Sequence, residues 1–87
     1  MFHIQLTEDP VRSFVTFDGL VLELFSESYE ERRFHVRLIR SIELAPDKKG
    51  RHHLKIVTRV LNADREVDDG AVSEVMDLVA QVQKAMM

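Results

Sequence analysis

Residues 68–87 read DDGAVSEVMDLVAQVQKAMM, and this stretch decides the fold. Its apolar side chains recur at alternating gaps of three and four residues, at Val72, Val75, Val79, Val82 and Met86. This is the spacing of a single apolar stripe along an α-helix. The stretch therefore predicts a helix over about 69–86, capped by Asp68 or Asp69, with the stripe facing a core. The same spacing would also suit the seam of a helix–helix dimer, although fewer than three heptads are present.

Short runs of alternating apolar and polar residues fill the preceding part of the chain and predict half-buried β-strands. Asp18-Gly19 separates two of these runs and predicts a tight hairpin turn with positive φ at both residues. A kink is expected near Arg40-Ser41, where the alternation slips. Strands are expected at 2–6, 14–17, 20–25, 34–38, 39–44, 54–58 and 65–67, and further turns at 7–10, 26–31, 46–50 and 62–64.

This order of elements predicts an α+β fold, in which a strongly bent antiparallel sheet or a small partly open barrel is capped by one C-terminal amphipathic helix. The alternation places Leu20, Leu22 and Leu24 on the core face of one strand, and Leu38 on the buried side of the next. A chain of 87 residues with 45% hydrophobic residues is predicted to form a single domain, 1–87, with its strands within 2–67.

Composition restricts the classes of function. Cysteine is absent, which excludes a disulfide and a thiolate nucleophile or metal ligand. No run approaches the roughly 20 apolar residues of a membrane span, and the N-terminus lacks the basic and apolar regions of a signal peptide. We therefore expect a cytoplasmic protein.

Charge is distributed unevenly along the chain. The formal net charge of −3 excludes a globally basic nucleic-acid binder. Residues 32–59 nevertheless hold nine basic and two acidic residues, a net charge of +7, whereas the rest of the chain has a net charge of −10. The basic residues are interpreted either as ordinary solvent-facing positions of strands or as a functional patch.

The elements that carry a family resemblance are Phe17-Asp-Gly-Leu20, the stretch Leu38-Ile-Arg-Ser-Ile-Glu-Leu44, Leu54-Lys-Ile-Val57 and the helix at 68–87. In their order the chain resembles the pleckstrin-homology-like superfold, especially its short bacterial versions, in which the final helix plugs one end of a bent antiparallel sheet or barrel. The resemblance implies a scaffold for protein contacts. Phosphoinositide-binding members carry Lys and Arg on the loop between their first two strands. If the strands at 14–17 and 20–25 are those strands, the tight acidic loop Asp18-Gly19 supplies no phosphate site.

No motif of catalytic or cofactor chemistry is present. The serines lack the strand–turn–helix context of an activated nucleophile, and no glycine-rich phosphate loop occurs. The four histidines are His3, His35, His52 and His53, and the adjacent pair would point to opposite faces of a strand. We predict a non-catalytic protein with no catalytic residue, no cofactor, no metal site and no small-molecule substrate.

The best candidate for a ligand contact is a basic segment formed by Lys48, Lys49, Arg51, His52 and Lys55. Such a segment would suit phosphate, an acidic partner or an anionic membrane surface. It has no interleaved aromatic residue to stack on bases, which disfavours nucleic acid. The leading hypothesis is an interaction or scaffold module for an unidentified protein partner, with homo-oligomerisation left open. One alternative is a weak binder of membrane headgroups or nucleic acid through 48–55, and another is a non-catalytic subunit of an enzyme.

Overall fold

The computed structural model describes residues 2–8, 11–26 and 32–87. Within these residues the chain forms seven β-strands followed by one α-helix. Two short 3-10 helices, Val36–Leu38 and Asp69–Ala71, precede the fifth strand and the helix. The main elements are β1 (Phe2–Glu8), β2 (Val11–Phe17), β3 (Val21–Ser26), β4 (Arg32–His35), β5 (Ile39–Pro46), β6 (His52–Thr58), β7 (Asn62–Val67) and α1 (Val72–Met86).

The strands form two antiparallel sheets in which each strand pairs with its neighbours in the chain. One sheet has the order β1-β2-β3-β4 and the other β5-β6-β7, and the described strands do not close into one barrel. The β5–β6 register shifts between Ile39 and Ser41, which confirms the kink predicted there. The α+β class, with antiparallel sheets and one C-terminal helix, is confirmed.

A single core lies between the two sheets and α1. Its fully buried large side chains come from both sheets and from the helix: Leu6, Leu22, Leu24, Leu54, Ile56 and Leu78 are among them. The predicted stripe faces this core, with Val75, Val79 and Val82 buried and Val72 and Met86 packed against them. Because the stripe is covered by the domain's own sheets, it is not available as a dimer seam.

The hairpin turn at Asp18-Gly19 differs from its prediction in detail. Gly19 has a φ of 105°, but Asp18 does not have a positive φ. The Asp18 carboxylate instead accepts hydrogen bonds from the backbone N–H groups of Leu20, at 2.9 Å, and Val21, at 2.8 Å. These bonds hold the pKa of Asp18 below its ordinary value. Leu20 belongs to the turn and is 60% exposed, so its prediction as a core residue was wrong.

The strand predicted over 34–38 ends early. β4 stops at His35, and the chain then forms the 3-10 helix Val36–Leu38, where the His35 Nδ1 accepts a hydrogen bond from the Arg37 N–H at 3.2 Å. Because the side chains now follow the three-residue repeat of a 3-10 helix instead of the two-residue repeat of a strand, Val36 is buried but Leu38 points outward and is 57% exposed. Its predicted burial was wrong because a strand period does not hold through a 3-10 helix.

Other predicted boundaries also shift. The turn predicted at 62–64 was wrong, since β7 already begins at Asn62. The turn lies at 59–61, where Thr58 Oγ1 accepts a hydrogen bond from the Leu61 N–H at 3.0 Å. The helix begins at Val72 rather than near 69, and Asp68 makes no side-chain capping hydrogen bond.

The predicted turns at 7–10 and 26–31 fall partly outside the described residues, at 9–10 and 27–31. β1 and β2 both precede Asp18-Gly19, which joins β2 to β3, so the condition under which this turn would be the loop between the first two strands is not met. No helix in the described part of the chain is long and apolar enough to cross a lipid bilayer.

Candidate functional site

The turn between β5 and β6 carries the first two residues of the predicted basic segment. Lys48 and Lys49 are exposed at its tip. Asp47 organises the turn, because its Oδ1 accepts hydrogen bonds from the backbone N–H groups of Lys49, at 2.8 Å, and Arg51, at 2.9 Å. Gly50 supplies the positive φ of 82°, as the sequence predicted. The lysines are therefore displayed by a well-defined turn.

An imidazole connects this turn to the neighbouring strands. His53 Nε2 lies 2.9 Å from Asp47 Oδ2, and His53 Nδ1 lies 2.7 Å from Asp64 Oδ1. Ionised carboxylates only accept hydrogen bonds, so these two contacts favour the cationic form of the ring, which carries a proton on both nitrogens. The bonds to Asp47 and then Asp64 raise the pKa of His53, and the bond to His53 lowers the pKa of Asp47 to about 2. With both nitrogens occupied, the ring serves as a clamp and has no nitrogen left for a substrate or metal.

The rest of the predicted segment does not join Lys48 and Lys49 in one basic patch. Arg51 Nε lies 3.5 Å from Glu66 Oε1. Lys55 lies in register between Glu43 on β5 and Asp64 on β7, so carboxylates flank it on both sides.

His52 lies three residues before Lys55 in β6, so the two side chains point to opposite faces of the sheet. The His52 side chain is half-buried, and its Nδ1 has no hydrogen-bond partner. The five predicted residues are thus divided between a turn and two faces of a sheet.

A second surface, which the sequence reasoning missed, surrounds the 3-10 helix Val36–Leu38. Four exposed apolar side chains converge there from three turns, and we call them the Leu38 surface: Leu20, Leu38, Val60 and Leu61. Val60 is 89% exposed at the β6–β7 turn. The Val36 N–H donates a hydrogen bond to the Leu20 carbonyl at 2.9 Å, which joins the β2–β3 turn to the 3-10 helix.

Two open grooves flank Leu38, which lines both. The larger, of about 790 Å³, runs between the 3-10 helix and the end of α1, and is lined by Leu20, His35, Val36, Arg37, Leu38, Ala85, Met86 and Met87. The smaller, of about 160 Å³, runs between β4 and the β6–β7 turn, and is lined by Arg33, Phe34, Leu38, Thr58, Arg59, Val60 and Leu61. The Leu38 surface is therefore a ridge with a recess on each side.

Among the described residues, the charged side chains that line these grooves are those of Arg33, Arg37 and Arg59, and no Asp or Glu side chain lines either groove. Arg33 Nε lies 3.7 Å from Glu23 Oε2 at the sheet surface. Neither Arg37 nor Arg59 has a salt-bridge partner among the residues that the structure describes.

A sequence signal for this surface exists. Adjacent apolar residues interrupt the alternation beside the turns, at Leu20-Val21-Leu22, Leu38-Ile39 and Val60-Leu61. Adjacent residues of a strand point to opposite faces, so such a run beside a turn places at least one apolar side chain outside the core. Leu20 and Leu38 are exposed in the first two runs, and both residues of the third are exposed.

Comparison of the chain with protein-family models, curated proteins and solved structures found no match in any of the three. Among residues 2–8, 11–26 and 32–87, no group of three or more histidine and carboxylate side chains is placed to hold a metal ion. The geometry of the surface itself therefore carries the functional argument.

Proposed function

We propose that this chain is a non-catalytic, cytoplasmic protein-interaction module of pleckstrin-homology-like architecture, and that it contacts its partner through the Leu38 surface. The architecture is supported by the order of elements, in which two antiparallel sheets are followed by one C-terminal helix. The resemblance implied one bent antiparallel sheet or barrel with a final helix, and two antiparallel sheets followed by one helix are compatible with that order.

The observation that carries the proposal is the convergence of exposed apolar side chains on one surface. The alternating positions of the strands place their apolar residues inside, yet three separate turns direct Leu20, Leu38 and Val60 outward around the same ridge. Scattered exposed apolar residues are ordinary, whereas a contiguous patch is typical of an interaction site. A partner that fully buried one of these side chains would gain about 1.5–3 kcal/mol from it, before the costs of association.

The basic segment is a weaker candidate for the partner contact than the Leu38 surface. Arg51 pairs with Glu66, and Lys55 lies in register with Glu43 and Asp64, which leaves two exposed lysines together on a turn. Two surface lysines give only a small electrostatic attraction that salt screens readily. Lys48 and Lys49 therefore serve as the matched control for the Leu38 surface.

The test compares wild type with Leu38→Ser/Val60→Ser and with Lys48→Glu/Lys49→Glu. All three should show similar thermal transitions, since every changed side chain is exposed. Each purified form is used for affinity capture from native-cell lysate, and captured candidates are then rebound as purified proteins with Kd measured at low and high salt.

We expect a direct partner that binds wild type and the lysine variant alike and binds the apolar variant at least about tenfold more weakly, a loss of about 1.4 kcal/mol. Equal binding by the wild type and the apolar variant would refute the Leu38 surface as the contact. Loss of binding only in the lysine variant would favour the basic turn instead.

A further inference from the structure

We infer that the occupant of the Leu38 surface is an acidic peptide segment of the partner, with large apolar side chains next to carboxylates. This inference rests on the proposed function and adds the chemical class of the ligand. Its basis is the combination, in the same two grooves, of an apolar ridge with three arginine side chains and, among the described residues, no Asp or Glu side chain.

The arginines argue for carboxylates on the partner. A ligand that covers the grooves removes water from the guanidinium groups of Arg37 and Arg59, and the described residues of the chain offer these two no ion pair in return. An uncharged ligand would leave this desolvation uncompensated. A carboxylate beside each apolar contact would replace the lost water with a charge-assisted, and often bidentate, hydrogen bond.

The shape argues for a peptide. The ridge at Leu38 has a recess on each side, with Val36 and Met86 in one and Phe34 and Leu61 in the other. A segment lying across the ridge can place one side chain in each recess. A bilayer would contact the protruding residues and leave the recesses unfilled. Of the ring side chains that line the grooves, Phe34 is buried and His35 is half-buried, which leaves no fully exposed ring there for base stacking.

A second copy of the chain is a poor occupant. A two-fold dimer brings a surface against itself, which would place the arginines of one copy against those of the other. Like charges across an interface oppose association. Charge complementarity therefore selects a partner that carries the opposite sign.

The experiment selects binders from a displayed library of random peptides of about 12 residues, using the whole immobilised chain. Selected sequences are synthesised in three forms: unchanged, with Asp and Glu replaced by Asn and Gln, and with the apolar residues replaced by serine. Affinities for wild type, Arg37→Glu/Arg59→Glu and Lys48→Glu/Lys49→Glu are measured by fluorescence anisotropy at two salt concentrations. Sedimentation with phosphatidylcholine vesicles, with and without phosphatidylserine, provides the membrane arm.

We expect the selected peptides to be enriched in Asp and Glu beside Leu, Ile or Phe. The amide form should bind about tenfold or more weakly, and so should the arginine variant, whereas the lysine variant should stay within about twofold of wild type although its charge change is the same. Thermal melting should show that both variants remain folded, because all four side chains are exposed.

The outcomes separate this inference from the proposed function. Peptides that bind without acidic residues, tolerate the arginine changes and are lost in Leu38→Ser/Val60→Ser would overturn the acidic ligand and leave the interaction surface standing. Absence of any enriched peptide overturns the inference. If no peptide is enriched and the chain instead binds anionic vesicles, the surface is a membrane contact and the proposed function fails as well.

Discussion

The change Leu78→Ala tests the core that holds both sheets to α1. Leu78 is fully buried, whereas Met76, two residues earlier on the same helix, is 58% exposed. Both are unbranched at Cβ and lie in the helix interior, so replacement by alanine changes helix propensity by a similar small amount. Comparison of Leu78→Ala with Met76→Ala therefore isolates the effect of burial.

The magnitude follows from the atoms removed. Leu78→Ala deletes three carbons from the core, worth about 0.8 kcal/mol each. The unfilled cavity adds roughly 1 kcal/mol. We expect a loss of about 3–3.5 kcal/mol, which for a domain of this size lowers Tm by about 12–28 °C. Met76→Ala should cost less than about 0.5 kcal/mol, as expected for an exposed position.

The assay is urea unfolding followed by far-ultraviolet circular dichroism, with the midpoint and the slope fitted separately for each variant. Equal slopes with a much lower midpoint for Leu78→Ala are the expected result. Coincident midpoints for the two variants would refute the placement of Leu78 in the core, and with it the orientation of α1 against the sheets.

Two further predictions concern backbone strain and pH. Gly19→Val should cost about 1–3 kcal/mol because of its positive φ alone, since a Cβ there meets no atom. Gly70→Ala, whose Cβ would make an ordinary contact and whose φ is not positive, should stabilise by about 0.4–1 kcal/mol; equal denaturation midpoints for the two variants would contradict this. The pKa of His53 is raised by Asp47 and Asp64, so its stabilisation is complete below the ordinary value of 6.5 and is lost as pH rises through the raised pKa. Asp64→Asn should lower the pKa of His53, measured by NMR titration, and shrink that loss of stability; an unchanged titration curve would show that the Asp64 contact does not form in solution.

The parts of the fold that the sequence predicts well are those in which one local period determines the burial. The helical spacing of Val75, Val79 and Val82 can be recognised in the sequence without knowing which strands the helix packs against, and all three residues are buried. Gly19 and Gly50 mark turns because their positive φ is a local requirement. Burial of Leu22 and Leu24 follows from the two-residue period of a strand, and holds because β3 is regular there.

The predictions fail where the period changes. In the sequence, Leu38 continues the alternation of β4, but in the structure the 3-10 helix has already begun at Val36. Leu20 lies one residue outside β3, in a turn fixed by the Asp18 carboxylate. In both cases the boundary, rather than the type of element, determines which way the side chain points. Boundaries depend on hydrogen bonds that a hydropathy pattern does not encode.

The basic stretch of 32–59 shows why charge in sequence does not locate a site. Its residues separate to opposite ends of β6, since the turn with Lys48 and Lys49 precedes that strand and the turn with Arg59 follows it. At about 3.3 Å per residue, the seven residues of β6 hold the two turns roughly 20 Å apart. That distance exceeds the Debye length of about 8 Å at physiological salt, so the two groups do not act as one field.

Arg59 lies near Arg33 and Arg37 because β6 pairs with β5. Thr58 lies in register with Ile39, which brings the β6–β7 turn beside the 3-10 helix that leads into β5. The arginines then share grooves with apolar side chains, whereas Arg51 and Lys55, in the middle of the same segment, lie beside carboxylates. A net charge of +7 counted along the chain thus becomes a sheet face of mixed charge between two separate basic ends. Among the described residues, the end at Leu38 also carries exposed apolar side chains, and this is why we propose it, rather than the lysine turn, as the contact surface.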